Sequence, residues 1–245
     1  MHTRIRGGSL AALVVSALAL ATACTPGPPG EETRSPAQSA PQSAASERAT
    51  PAPAVATAPM PAGQRQAAML GQADLPAEWH ERAPDADRGA LPVSAPVCRP
   101  LVSLVEDMLW GPEAGAGAWF QHGGGEAYLS TRVVAYPSTG ARDHVIRVSD
   151  ALDGCPAFTT SLKGTTINVS ASRLPTPRFA AGSETFRLSA GRQGGPLHLQ
   201  ADVIVLHRGA EVLSFQYTAS DPSGHDNFEL LAKLATDKFV KATHD

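Results

Sequence analysis

Three cysteines and eight histidines are the side chains of this 245-residue chain with the widest chemical range. Thiols accept lipid, form disulfides or bind metals, and imidazoles bind metals or transfer protons. Neither Cys98 nor Cys155 has a second cysteine or histidine at metal-ligand spacing. His198 and Asp202 lie four apart on a predicted strand, about 13 Å along it, which is too far for a shared ion. We therefore expect no metal and no cofactor.

The first 23 residues have the features of an export signal. Arg4 and Arg6 precede an apolar stretch that ends at Leu20 and is shorter than the roughly 20 residues needed to span a bilayer. The small residues before Cys24 resemble a bacterial lipobox, which marks the cysteine for diacylglyceryl transfer, although Ala21 stands where the motif usually has Leu. They also fit an ordinary signal-peptidase site, which would release a soluble protein. We expect lipid on Cys24 as the membrane anchor, with ordinary secretion as the alternative.

Cys98 and Cys155 are left as one pair if Cys24 carries lipid. Export places them in an oxidising compartment, where disulfides persist. Closing a loop of roughly 60 residues would stabilise the fold by about 4 kcal/mol in the chain-entropy model. Two free buried thiols are the alternative.

Catalytic motifs are absent from the sequence: it has no nucleophile elbow, zinc-protease motif, P-loop or dinucleotide-binding motif. The triplet Gly123–Gly125 falls between two predicted strands, which favours a turn over a phosphate cradle. His144 falls on an exposed face of a predicted helix and His225 near a helix start, so we interpret both as surface residues. A discontinuous Ser-His-Asp site stays open, because triad members need not be close in sequence. We expect a non-enzymatic protein.

The 20 basic and 23 acidic residues give a net charge of −3, which argues against a nucleic-acid partner.

Composition divides the chain into three parts. From residue 25 to about residue 63 the chain is rich in Pro, Ala, Ser, Thr and Gln and has no aromatic residue. Such a segment cannot bury enough apolar area to offset its ordering entropy. We expect a signal peptide over 1–23, lipidated Cys24 with a disordered tether over 24–64, and one domain over 65–245.

Hydrophobic periodicity inside this domain changes at Cys155. Before it, helical spacing and short alternating runs predict two helices and two strands, over 100–109, 139–152, 116–121 and 126–136. After it, period-2 alternation predicts strands over 165–172, 184–189, 197–207 and 211–219, followed by a helix from Asp226, its expected N-cap. The result is an α+β domain, with an antiparallel sheet of five or six strands, helices packed mainly on one face and one disulfide.

The predicted hairpin over Leu197–Ala219 is the best candidate for a binding surface. One face carries Leu197, Leu199, Ala201, Val203, Val205 and Val212 with Ser214, Gln216 and Thr218, and the other carries Ile204, Leu206, Leu213, Phe215 and Tyr217. If the second face packs on the helices, Ser214, Gln216 and Thr218 lie on a mixed surface of the kind that lines ligand grooves. The alternative is a sheet face under a loop or partly solvated. With reversed packing, His198, Gln200 and Asp202 become the exposed group.

Several features occur in an order that resembles a known family. They are the stretch Ala73–Trp79, a helix beginning at Cys98, a second cysteine that closes a helix, a V-x-V-x-x-R-G hairpin and a C-terminal helix. From about Ala67 onward the chain is similar to exported lipoproteins of actinobacteria, in particular to the PknH-like extracellular sensor domain. That family usually carries two disulfides, whereas this chain can form only Cys98–Cys155. The resemblance implies an antiparallel sheet with a groove thought to bind an unidentified extracellular ligand, and no catalysis.

Three function classes follow from these observations. The leading hypothesis is a lipoprotein on the outer face of the cell membrane whose non-enzymatic domain binds an envelope small molecule, glycan or lipid. The alternative is a protein-interaction module for a membrane partner. An envelope hydrolase is the third.

Overall fold

The computed structural model describes residues 58–86, 89–111, 114–175, 179–192, 195, 197–220 and 225–243. The predicted signal peptide, Cys24 and most of the predicted tether lie outside the described residues, as do the side chains of His198, His225 and Asp226. All described residues belong to one structural unit, residues 51–245. Within the described part of the chain, no helix is long and apolar enough to cross a membrane.

The described residues form one antiparallel sheet of eight strands. In chain order the strands are β1 (Trp79–Arg82), β2 (Ala116–His122), β3 (Ala127–Ala135), β4 (Ala157–Leu162), β5 (Thr165–Arg173), β6 (Ser183–Arg192), β7 (Leu197–Arg208) and β8 (Glu211–Ala219). Their order across the sheet is β1-β2-β3-β8-β7-β6-β5-β4. The α-helices are α1 (Ala62–Ala67), α2 (Arg99–Trp110), α3 (Gly140–Gly154) and α4 (His225–Ala242).

The prediction of five or six strands is wrong, because it omits the two edge strands β1 and β4. An edge strand pairs on one side, so short segments with little periodicity can join a sheet there once a longer neighbour has formed. In β1 the sequence Trp-His-Glu-Arg contains one apolar residue, Trp79, which is buried. No alternation is visible over four such residues.

The prediction that helices lie mainly on one face is also wrong, because both faces of the sheet are covered. Ile204, Leu206, Leu213 and Phe215 pack in one core with residues of α4 and the segment that follows α1. Val203, Val205 and Val212 pack in a second core with α2 and α3. The continuous apolar run at 203–206 is typical of a strand that is buried on both sides.

The disulfide between Cys98 and Cys155 is present, with the two Cα atoms 5.4 Å apart. It joins the start of α2 to the end of α3, as the sequence predicts. Pro100 occupies the first turn of α2, where its missing N–H is tolerated. The helix ends at Gly111, whose φ of +79° is readily adopted by glycine.

Candidate functional site

A cavity of about 900 Å³ lies between α2, α3 and the sheet. We call it the α2–α3 cavity, and its charged and aromatic lining residues are Arg99, Glu106, Asp107, Trp110, Arg132, Tyr136, His144 and Arg147. Its volume falls within the range of pockets that hold small molecules.

The lining residues face the cavity because of the regular spacing of side chains on α2, α3 and β3. On α2, Arg99, Ser103, Glu106 and Trp110 form a stripe at spacings of three and four residues, beside the buried face that carries Leu104. On α3, His144 and Arg147 are three residues apart. On β3, side chains alternate: Leu129 and Val133 belong to the α4 core, so Arg132 and Val134 point toward α2 and α3.

Arg132 lies on a sheet surface made of small neighbours. In the register of the sheet it stands between Gly117 on β2 and Ser214 on β8. The indole of Trp119 lies over Gly117, where an added Cβ would come within 2.4 Å of the ring. The Trp119 Nε1–H donates to the carbonyl of Met108 at 3.0 Å, which holds α2 against the sheet. The cavity floor is therefore built on rigid elements.

Two ion pairs occupy the carboxylates of the cavity. Arg132 pairs through Nη1 with Asp107 Oδ2, and Arg99 pairs through Nη2 with Glu106 Oε2. Glu106 also accepts the Leu91 N–H at 2.8 Å. Arg132 is 7% exposed, and its buried Nε has no hydrogen-bond partner among the described residues. Burial lowers the pKa of Arg132 to about 10, so the guanidinium remains charged at neutral pH.

His144 is half-buried in the cavity wall, so its interpretation as an exposed surface residue is wrong. Its Nδ1 lies 3.1 Å from the Tyr136 hydroxyl, and its buried Nε2 has no partner in the described part of the structure. Burial, followed by the charges of Arg132 and Arg147, lowers the pKa of His144 to about 4. The ring is therefore neutral at pH 7. Helical periodicity places His144 correctly on α3. It does not show that β3 and Tyr136, which follows β3, cover that face of the helix.

Arg147 is an exposed cation in the lining of the cavity. No side-chain hydrogen bond or ion pair joins it to another described residue. The cavity therefore brings together Arg132, His144 and Arg147, each with nitrogen atoms that have no protein acceptor among the described residues. The sequence contains no local signal for this group, because its members come from two elements that are distant in the chain.

Ser214, Gln216 and Thr218 lie on the sheet face that the sequence predicts, but α2 covers this face. All three are at most 3% exposed. Gln216 Nε2 donates to the Leu104 carbonyl at 3.0 Å, and the Thr218 hydroxyl donates to Met108 Sδ at 3.4 Å. Ser214 lies opposite Arg132, and its buried hydroxyl has no partner in the described part of the chain. Ligand binding by these three residues stays a prediction.

The alternative group on β7 is not an open surface either. Asp202 is 1% exposed and accepts hydrogen bonds from Arg187 Nε at 2.7 Å and Nη2 at 3.1 Å. The side chain of His198, its expected neighbour, lies outside the described residues.

A second cavity of about 580 Å³ lies on the β4–β6 part of the sheet. Its lining is mixed, and its polar side chains include Thr159, Asn168, Ser170 and Ser189. Asn168 is exposed there and its side-chain oxygen accepts a hydrogen bond from the Thr159 hydroxyl at 3.3 Å. This agrees with the interpretation of Asn168 as a strand-face residue.

The described residues show neither a metal-binding cluster nor a nucleophile hydrogen-bonded to a histidine. They contain no cluster of three or more His, Cys, Asp or Glu side chains that could hold a metal ion. Their hydrogen bonds to histidine rings include Tyr136 with His144 but none from a Ser, Thr or Cys side chain.

Comparison with known proteins identifies the fold. No family model and no curated protein sequence matches the chain. Among solved structures it is similar to the extracellular domain of PknH from Mycobacterium tuberculosis, with a TM-score of 0.55, 15% identity, and coverage of 77% of this chain and 99% of that one. The cyanobacterial PsbP of Synechocystis sp. PCC 6803 matches with a TM-score of 0.29, 12% identity and coverage of 68% and 94%, a score too low to establish a shared fold. The expected PknH-like sensor-domain fold is confirmed.

Proposed function

We propose that this protein is an exported lipoprotein whose non-enzymatic domain binds an envelope small molecule, glycan or lipid in the α2–α3 cavity. The observation that carries the proposal is Arg132, a buried cation with an unpaired Nε on the floor of a cavity of about 900 Å³. Buried polar groups in native proteins nearly always have a partner, and a charged group is the most expensive one to leave unpaired. The charge of Arg132 is paired with Asp107, and a ligand bound in the cavity would give the guanidinium a further partner.

The construction of the cavity supports a binding role. The Cys98–Cys155 disulfide ties together the two helices that form its walls, and Trp119 ties α2 to the sheet. A preformed site loses less conformational entropy when it binds a ligand.

Export is supported by two further observations. The disulfide is of the kind that persists in oxidising compartments, and the solved structure with the similar fold is an extracellular domain. The basic start, apolar stretch and small residues before Cys24 favour lipid attachment at that residue. Two acyl chains anchor a protein stably, whereas one does so marginally.

The exposed apolar side chains add no support for the protein-interaction alternative. Among the described residues the large ones are Val97, Ile146, Leu199, Leu230 and Leu234. They come from several elements, and scattered exposed apolar residues are normal on soluble domains.

Cavity binding is tested by thermal unfolding of the full chain with fractionated cell-envelope extracts. We expect one fraction to raise the Tm, because a ligand at about 100 times its Kd stabilises the folded state by about 2.7 kcal/mol. Ser103→Trp should abolish the shift by filling the cavity, since Ser103 is part of its lining. Ser172→Trp makes the same change at an exposed position on β5 and should keep the shift. A shift that survives Ser103→Trp, or no shift with any fraction, would contradict the proposal.

Lipid attachment is tested by fractionating cells that express the full chain. Cys24→Ala should release the protein to the medium or block its processing, whereas Thr33→Ala in the predicted tether should leave it in the membrane fraction. Recovery of Cys24→Ala in the membrane at the wild-type level would refute the anchor.

A further inference from the structure

We infer that the α2–α3 cavity binds an anionic group, a carboxylate or a phosphate, between Arg132, His144 and Arg147. The inference rests on the proposed function, because it names the ligand chemistry of the same cavity. It follows from the hydrogen-bond donors of the lining, from its charge, and from the position of His144 near two arginines.

Two arginines that line the cavity have donors without a partner among the described residues. Arg132 uses Nη1 for Asp107 and leaves Nε–H without an acceptor among the described residues. Arg147 offers a guanidinium with no described partner, and guanidinium groups donate but never accept. A ligand that satisfies these groups must present several acceptor oxygens, and a carboxylate or phosphate matches the forked geometry of arginine.

The carboxylates of the cavity do not neutralise Arg147. Glu106 is engaged by Arg99 and the Leu91 N–H, and Asp107 is engaged by Arg132. The lining therefore contains three arginines against two carboxylates, with His144 neutral. One positive charge is left over, which favours an anion as the occupant.

His144 lies near both Arg132, which is paired with Asp107, and Arg147. Both Arg132 and Arg147 lie close enough to lower its pKa, so the charges converge on one region of the wall. The tautomer with a proton on Nε2 places a donor in that region, and the Tyr136 hydroxyl then donates to Nδ1. An anion bound there contacts donors from β3 and from α3.

A pH dependence of binding follows from this arrangement. The groups that face His144 are Arg132 on β3, Tyr136 after β3 and Arg147 on α3, with the ion pairs of α2 beyond them. A bound anion offsets the two positive charges and raises the pKa of His144 above its value of about 4 in the free protein. Binding is therefore linked to proton uptake, and it strengthens as the pH falls through the pKa of the bound state.

The experiment uses the full chain and follows the His144 ring by NMR during pH titrations. The probes are inorganic phosphate, acetate, and vesicles of phosphatidylglycerol or phosphatidylcholine, at constant ionic strength so that screening is matched. We expect phosphate or acetate to raise the pKa of His144. Arg147→Gln should weaken binding about five-fold, since it removes one charge-assisted contact at an exposed position.

Arg142→Gln is the matched control, because Arg142 is exposed on the same helix and does not line the cavity. It should bind the probes as the wild type does. A larger effect of phosphatidylglycerol vesicles than of free phosphate identifies a lipid headgroup as the source of the anion, and the reverse identifies a soluble anion.

Two results separate this inference from the proposed function. If an envelope fraction raises the Tm and Ser103→Trp abolishes the shift, but no anion changes the His144 titration, the cavity binds a neutral ligand and the inference is overturned. If Arg142→Gln weakens binding as much as Arg147→Gln, the effect is general charge attraction and the inference is likewise overturned.

Discussion

Under α4 the sheet buries aromatic and aliphatic side chains, and under α2 and α3 the same strands bury a charged group and leave a cavity. Phe215, Phe228 and Phe239 are at most 2% exposed in the α4 core. On the other face Arg132 is buried almost as completely, opposite a serine. The α4 core is therefore apolar, whereas the α2–α3 face combines its own apolar core with a buried ion pair and a cavity.

Charged residues also occur on the α4 face, but beside the apolar core. Arg187 and Asp202 meet in a two-point pair on neighbouring strands, and Arg65 Nη1 lies 3.7 Å from Glu211 Oε1 at the start of β8. Glu211 Oε1 also accepts the Met60 N–H at 2.7 Å, which fixes the chain where it enters the domain. The Arg132–Asp107 pair likewise connects β3 to α2, but both of its members also line the α2–α3 cavity.

Phe215→Ala should have the largest effect on stability. The ring is fully buried, so its loss combines the transfer free energy with a residual cavity and should lower the free energy of unfolding by about 3–5 kcal/mol. Urea denaturation measures this change. Where the variant is folded, ligand binding in the α2–α3 cavity should be unchanged. A parallel loss of binding would show that the two faces do not have separate roles.

Removing the disulfide with Cys98→Ala and Cys155→Ala should come next, with a loss of up to about 4 kcal/mol, because the unfolded chain regains the entropy of the open loop. The variant should also bind the cavity ligand more weakly, since the ends of α2 and α3 are no longer joined. Denaturation and Tm shifts measure the two effects. Unchanged binding would mean that packing alone holds the cavity walls.

Lowering the pH should reduce the free energy of unfolding, because His144 on the α2–α3 face resists protonation in the folded state. Its pKa is about 4 when folded and near 6.5 in the unfolded chain, so the unfolded state binds more protons between these values. Stability is therefore fully present above about pH 6.5 and is lost as the pH falls toward 4, by about 1–2 kcal/mol after allowance for solvent screening.

The variant His144→Gln isolates this contribution. Its stability should fall less than that of the wild type between pH 7 and pH 5, as measured by urea denaturation at each pH. Identical pH profiles for the two proteins would place the histidine in a solvated environment and weaken the distinction between the faces.

The smallest expected effect belongs to the double variant Arg132→Met and Asp107→Leu. Replacing both members of a buried ion pair with apolar residues is often neutral or stabilising, so we expect between no change and a gain of about 1 kcal/mol. Arg132→Met alone leaves the Asp107 carboxylate unpaired and should be destabilising. The double variant should lose the envelope-ligand Tm shift. A large loss of stability would mean that the pair serves the fold rather than a ligand.

Local patterns predicted much of the fold. The helices α2 and α3 begin and end within two residues of their predicted bounds, and the two faces of the β7–β8 hairpin carry the predicted side chains. These features depend on side-chain period, on Gly111 and on the position of Cys155, all of which act over a few residues. The edge strands β1 and β4 were missed because their pairing depends on longer neighbours.

The candidate site was predicted less well. Ser214, Gln216 and Thr218 were placed on the correct face, but which element covers that face is not a property of the strand itself. His144 looked like a surface residue because a helix pattern distinguishes apolar from polar positions, not solvent from a polar cavity. Arg132 has no motif around it, so its place in the cavity lining is visible only in the structure, through its burial and its unpaired Nε.

By itself, the sequence determined the helix and central strand periods, the alternation of β7 and β8, and the cysteines available for pairing, because each is a local or a counting property. The tertiary structure decided that α2 covers Ser214 and that Arg132 comes together with His144 and Arg147. Such convergence depends on sheet register and on helices docked across long loops, where small differences in packing free energy select one arrangement among many that have the same local pattern.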